Sequence, residues 1–191
     1  MNFQSVTSMA HRFAKCHVQS GDLCIDATVG NGYDTVLLAS LVGDSGKVLG
    51  IDIQEQAVEK SRRRLEESRL DGKVILRKGD HKDLLLITNS LAWKRIRLAM
   101  FNLGYLPGGD KRVITTSGPT LSAMDACLEI LDIDGALSVV AYRGHEGGKE
   151  EENLVHDWVN HLNSSHFKSV RFEKSFLSTS DSPVFYWIEH C

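Results

Sequence analysis

Four aspartates, a pair of glycines and one asparagine carry the chemistry this sequence offers. Asp26 precedes the run Gly30-Asn31-Gly32, Asp34 and Thr35 follow it, and Asp52 lies 22 positions after Gly30. Asp80 and Asn102 come next, each at the end of an apolar run. Glycines at 30 and 32 permit positive φ and close approach of the backbone to a ligand, as a strand-to-helix nucleotide loop requires. An acidic side chain at Asp52 can accept both hydroxyls of an adenosine ribose, and a carboxylate at Asp80 can accept from an adenine amino group. Taken singly, each aspartate also reads as a cap or turn residue. Three acidic strand ends in register with a glycine loop point to an adenosine-bearing ligand.

The identity of that ligand follows from what the loop lacks. A dinucleotide loop has a third glycine where this chain has Thr35, and no G-x-x-x-x-G-K-[ST] run occurs for a nucleoside triphosphate. Asp26 and Asp34 would repel a pyrophosphate, whereas they suit the cationic amino and sulfonium groups of S-adenosylmethionine. Asn102-Leu103-Gly104-Tyr105 is close in form to the [DN]-P-P-[YF] element of methyltransferases that modify amino nitrogens. There the carboxamide and the next carbonyl accept from an amine and aim its lone pair, while the aromatic ring covers the base or the methyl path. The same four residues also read as an ordinary strand-end turn with Tyr105 packed on the core.

These residues need a frame that brings strand ends together, and the apolar pattern supplies one. Short apolar runs alternate with amphipathic stretches, the pattern of βαβ units and a mostly parallel sheet. Strands are expected at 22–28, 47–53, 74–80, 98–103 and 136–144, with helices near 35–42, 54–69, 119–133 and 150–162. Gly135 stands just past the expected end of the third helix of that series. Two final runs, 169–177 and 184–190, alternate as an antiparallel edge hairpin. The expected fold is α/β, a doubly wound, mostly parallel seven-stranded sheet over a single domain, 1–191. Ligands in such sheets bind outside the carboxyl ends of the strands, where all the residues above converge.

Composition agrees with one soluble domain: 191 residues, 42% hydrophobic, 25% charged, 16 Gly and 3 Pro. No apolar run is long enough to cross a bilayer and no secretory h-region opens the chain, so a cytoplasmic protein with no membrane partner is expected. Cys16, Cys24, Cys127 and Cys191 form no CxxC pair or zinc spacing and read as reduced thiols. His156, His161 and His166 recur every five residues, share no helix face, and offer no metal site. Glu150 to Glu152 reads as a helix N-terminal charge cluster, and Arg62 to Arg64 as a solvated helix face. The net charge of −3 divides into +4 over residues 1–112 and −7 over 113–191, so the slightly acidic total does not exclude a polyanion bound by the first part.

The runs DATVGNGYDT, IDIQ with Ala57-Val58 after it, FNLGYLPGGDK followed by Thr115, Thr116 and Thr120, YRGHEGGKEE and DSPVFYWIE together resemble the MnmM-type (YtqB-like) bacterial methyltransferases over essentially the whole chain. That family has a Rossmann-like class I S-adenosylmethionine-dependent methyltransferase fold. The resemblance implies N-methylation of 5-aminomethyl(-2-thio)uridine at the wobble position of tRNA, giving the 5-methylaminomethyl form. It also implies contact with the anticodon stem-loop and a homodimer. By the same resemblance the cofactor residues are Asn31, Asp34 and Thr35 in the first loop, Asp52 and Gln54 after the second strand, and Asp80 and His81 after the third. Gly79-Asp80-His81 stands where members often show Ser-His-Asp, and Thr28 replaces a glycine of the commoner D-x-G-x-G-x-G loop. On this reading Asn102 orients the amine and Tyr105 shapes the pocket. His145 or Asp110 relays the lost proton or is simply a loop residue. Lys111, Arg112 and Arg143 contact RNA phosphate or are solvated loop charges. A methyltransferase acting on rRNA or a small amine, and a binding module without turnover, remain the alternatives.

Overall fold

The computed structural model describes residues 5–104, 115, 117–173 and 181–191. In chain order the elements are α1 (Val6–His17), β1 (Leu23–Asp26), α2 (Tyr33–Leu41), β2 (Lys47–Asp52), α3 (Glu55–Glu67), β3 (Val74–Lys78), α4 (Leu84–Ser90), β4 (Ile96–Leu103), α5 (Ser117–Ile130), β5 (Leu131–Ala141), α6 (Gly148–Asn160), β6 (Phe167–Phe172) and β7 (Val184–His190). The described strands form one seven-stranded sheet in the order β3-β2-β1-β4-β5-β7-β6. β1 to β5 are parallel, and β7 runs antiparallel to both β5 and β6. The strand order reverses between β1 and β4, where a parallel sheet opens a crevice at its carboxyl edge.

Alternation along β4 shows why its sequence is continuously apolar. Leu98 and Met100 join the layer under α1 and α2, while Ala99, Phe101 and Leu103 join the layer under α4, α5 and α6. A strand covered on both faces has no polar side to display. The sequence predicts the parallel strands and the C-terminal antiparallel pair, and all are present.

Two helices lie where the sequence predicts no element. α1 buries Val6, Ala10 and Ala14 at four-residue spacing, begins at Ser5, whose hydroxyl accepts from the Ser8 N–H, and sets Phe13 against Phe172, Phe185 and Trp187. Met9 and Phe13 pack beside that stripe, so the helical period is present in this segment although no element is expected there. α4 has seven residues, too few for a helical period to emerge.

The helix expected at 119–133 ends instead at Ile130, and β5 starts at once with Leu131 paired to Ile96. Gly135 is therefore no helix stop. It sits inside β5 beyond a register shift, where a side chain would come 2.7 Å from the Ile96 carbonyl oxygen.

Gly32 has the opposite role, turning the chain into α2 with φ at +80°. A Cβ there would lie 2.6 Å from Ser61 Oγ on the buried face of α3. Gly32→Ala is expected to lower folding stability by about 1–3 kcal/mol, read from urea denaturation, because strain and the clash with α3 add.

Candidate active site

A cavity of about 830 Å³ opens at the carboxyl edge of the sheet. This is within the range of sites for small molecules and cofactors. Its wall takes Gly30, Asn31, Asp34, Asp52, Gln54, Asp80, His81, Asn102 and His145 from the residues expected on sequence grounds. Asp26, Gly32 and Thr35 stand behind that wall. Tyr105, Lys111 and Arg112 lie outside the described residues.

Asp26 is fully buried at the end of β1, where one oxygen accepts from the Thr35 hydroxyl and the other from the Thr28 N–H at 3.2 Å. Burial, and then the neighbouring Asp34 carboxylate, push its pKa up to about 7. Asp26 thus braces the first loop from beneath and does not face a cationic ligand, as its type alone suggests.

Asp34, on the first turn of α2, lines the cavity and holds two partners at once. Asn102 Nδ2 donates to Oδ2 at 2.7 Å, and His11 Nε2 donates to Oδ1 at 2.6 Å. The carboxylate can only accept, so it fixes the carboxamide orientation: nitrogen toward Asp34, leaving Oδ1 as the acceptor. The Asn102 N–H donates to Thr28 Oγ1 at 2.7 Å. That bond explains Thr28 in place of the commoner glycine, since its hydroxyl ties the β1 loop to the end of β4.

Asp52 is anchored in the same manner, accepting from the Gly30 N–H at 2.8 Å and the Gln54 N–H at 2.9 Å. Burial raises its pKa, opposed by these two hydrogen bonds. Asp80 caps the turn that follows β3, accepting from the Lys82 N–H at 3.0 Å. Burial lowers the pKa of the adjacent His81 and favours a neutral ring. Its Nε2 is buried with no hydrogen-bond partner among the described residues.

Several side chains given no role in the site on sequence grounds complete it. Thr7 and His11 come from α1 and Tyr142 from just past β5, and all three line the cavity. The hydroxyls of Thr7 and Tyr142 are 3.1 Å apart, joining the helix to the strand end. Thr115 Oγ1 accepts from the Gly104 N–H at 2.8 Å and donates to Glu151 at 2.7 Å. Glu151 also accepts from Thr120, and burial raises its pKa. In the sequence Tyr142, Thr115 and Thr120 are marked only as parts of the family-like runs and Thr7 and His11 not at all, because the contacts join segments far apart in the chain.

Two expectations need correction and a third is refined. Arg143 is committed to protein groups, pairing with Glu152 at 3.8 Å and with Glu173 while Nε donates to the Ser182 carbonyl at 2.7 Å. It is absent from the cavity wall, and a phosphate would have to displace those carboxylates. Glu150 and Glu151 stand in the first turn of α6 as expected, and Glu151 and Glu152 are in addition buried hydrogen-bond acceptors. Arg64 leaves the solvated face of α3 to donate to the Asn31 carbonyl at 2.9 Å and to lie 4.0 Å over the Tyr33 ring.

The family model described as "Putative rRNA methylase" matches residues 48–189, from β2 to the last strand. The chain belongs to this family. A relative from Arabidopsis thaliana, a chloroplastic tRNA (mnm(5)s(2)U34)-methyltransferase, is 38% identical over 89% of this chain. The match spans 64% of that relative's length. Two solved structures match over the full length of both chains. A family protein of the same description from Clostridium thermocellum has 32% identity and a TM-score of 0.93. A methyltransferase from Streptococcus mutans, solved with SAH, has 34% identity and a TM-score of 0.86. The fold is that of the class I S-adenosylmethionine-dependent methyltransferases. Among the described residues no group of three or more His, Cys, Asp or Glu is placed to hold a metal ion, and no helix is long and apolar enough to cross a membrane.

The raised Asp26 pKa has a sign that can be measured. A folded pKa near 7 against 3.8 for a free Asp means the folded chain binds the extra proton between those values. This group's contribution is therefore fully present below about pH 4 and is lost as pH rises through about 7. Relative to wild type, Asp26→Asn is expected to be least favourable near pH 4.5 and to gain in relative stability toward pH 7.5, in urea denaturation at both pH values.

Proposed function

We propose that this chain is an S-adenosylmethionine-dependent N-methyltransferase that converts 5-aminomethyl(-2-thio)uridine at the wobble position of tRNA to the 5-methylaminomethyl form. The observation that carries this reading is the Asn102 carboxamide, turned by Asp34 so that its oxygen is left to accept from an amine N–H at the cavity wall. The 38% identity to a tRNA (mnm(5)s(2)U34)-methyltransferase supports the same substrate.

The residues present fit S-adenosylmethionine. Asp52 is pre-anchored with lone pairs left for ribose hydroxyls, and Ile53 beside it is 55% exposed at the cavity, an apolar face for a flat ring. The partnerless Nε2 of His81, next to Asp80, suits the hydrogen-bonding edge of adenine. Asn31, Asp34 and Gln54 complete the polar lining on that side, and Thr35 holds the loop through Asp26. When bound, S-adenosylmethionine supplies an electrophilic methyl group on a cationic sulfur.

The chain's own residues then have to deliver a neutral amine in line with that methyl. Asn102 Oδ1 accepts one amine N–H and directs the nitrogen lone pair, a positional effect that converts an encounter into a near-attack geometry. Enclosure beside a cationic sulfur disfavours the ammonium form, as desolvation and like charge do for lysine. Tyr105 would shape the pocket, and Lys111 and Arg112 would meet phosphates of the anticodon stem-loop. The net +4 of residues 1–112 is sufficient for a modest, salt-sensitive hold on RNA. Arg143 does not share that role.

Labelled methyl transfer into tRNA from cells lacking the gene, followed by nucleoside mass spectrometry, tests the reading. Label in 5-methylaminomethyl(-2-thio)uridine is expected. Label confined to rRNA or to a small amine, or cofactor binding with no transfer at all, would sink it. In the same assay Asn102→Ala is expected to lower kcat by about 100-fold or more, with cofactor affinity by calorimetry changed by less than about three-fold.

A further inference from the structure

Methylating an alkylamine needs a group that takes its proton, and Asn102 can only orient. The substrate enters as an ammonium, loses one proton to become a nucleophile, and leaves as a secondary ammonium, so one proton is released per turnover. We propose that His11 is the proton acceptor of this site, held in place by Asp34; this rests on the amine-methylating function proposed above.

Geometry carries the assignment. His11 lines the cavity from α1, and its Nε2 lies 2.6 Å from Asp34 Oδ1. The other oxygen of the same carboxylate accepts from Asn102 Nδ2 at 2.7 Å. One carboxylate therefore sits between the group that orients the amine and the imidazole that can take its proton. A carboxylate accepts only, so Nε2 carries the ring proton and Nδ1 is left as the base. Nδ1 takes no hydrogen-bond partner among the described residues. The imidazolium formed by proton transfer lies against a buried carboxylate, which stabilises it. With 29% of its side chain exposed, the ring can return the proton to solvent.

The transfer balances without another reactant. The amine proton moves to His11 Nδ1, the freed lone pair makes the N–C bond, the methyl–sulfur bond breaks, and its electron pair stays on sulfur. Among the described residues the ionisable groups that share the cavity wall with His11 are Tyr33, Asp34, Asp52, Asp80, His81, Tyr142, His145 and Asp181, and Asp26 lies behind Asp34. His145 is the competing base. It lies on the loop after β5 and its Nδ1 is 2.9 Å from the Glu146 carbonyl oxygen, whereas His11 shares its carboxylate with Asn102.

The test compares wild type, His11→Gln, His11→Ala and His145→Gln, measuring kcat and KM against pH for methyl transfer to tRNA carrying 5-aminomethyluridine. His11→Gln is expected to lower kcat by about 100-fold, with cofactor Kd and tRNA KM changed by less than about three-fold, and to lose the acidic limb of the wild-type profile. Added imidazole is expected to restore part of the His11→Ala rate, which a purely structural role would not allow. Nitrogen-15 spectra of the imidazoles supply a readout independent of turnover: His11 protonated on Nε2 alone in wild type, and altered in Asp34→Asn. A His11→Gln enzyme within about three-fold of wild-type kcat overturns the assignment, as does loss confined to His145→Gln. So does loss of cofactor binding in His11→Gln, or a His11 ring charged throughout the active pH range. If wild type itself transfers no methyl to this tRNA, the substrate reading falls and the role falls with it; if wild type is active and His11→Gln equally so, only the role falls.

Discussion

A single buried carboxylate organises the carboxyl edge of this sheet. Asp34 sits on the first turn of α2 and accepts from β4 through Asn102 and from α1 through His11. Donors 23 and 68 positions away from Asp34 in sequence thus converge on its two oxygen atoms. A buried carboxylate left unpaired would be strongly destabilising, so its donors are held in place by the same free energy that holds the carboxylate. Functional orientation and structural satisfaction are here one requirement.

Behind Asp34 the first loop is layered with acceptors at different depths. Asp26 lies deepest, held by Thr35 and the Thr28 N–H and pushed toward the neutral form. Asp52 lies at the wall, held by the N–H groups of Gly30 and Gln54. The electrostatic consequence is an edge with acidic side chains in reach of a ligand and few fixed cations lining it, since the cavity wall includes no Lys or Arg among the described residues. Such an edge favours a cationic ligand over a polyphosphate. The strand reversal between β1 and β4 supplies the crevice, and the side chains supply its sign.

The C-terminal half secures the other wall. Glu151 receives Thr115 and Thr120 from the segment after β4, so the chain leaving Asn102 is bound to the start of α6. Glu152, one residue on, receives Tyr186 of β7 and Arg171 of β6, with Arg143 alongside. Adjacent glutamates on one helical turn thus fasten Thr115 and Thr120 on one side and the antiparallel strands on the other. The acidic balance of residues 113–191 is in part this internal fastening.

Much of the frame was legible because it depends on local pattern. Apolar runs buried on both faces, glycines before a helix and acidic strand ends are short-range features, and they marked the strand ends, the first loop and Asn102 correctly at the cavity. The expectations missed α1, whose apolar face is plainly one-sided, and α4, which is too short to show a period, and they misplaced Gly135, a strand glycine that looks like a helix stop. Roles were legible less often than positions. Asp26 and Arg143 have the residue types of a site, and Glu151 and Glu152 those of a helix-end charge cluster, but burial and partner choice decided their roles, and those are properties of segments brought together from afar. What the sequence alone determined was the α/β frame, the family and the edge at which the cavity opens, since periodicity and motif are written along the chain. Only the tertiary structure decided that Asp34 turns Asn102 and holds His11, because a hydrogen bond between α1, α2 and β4 exists only once the sheet has placed them at one edge.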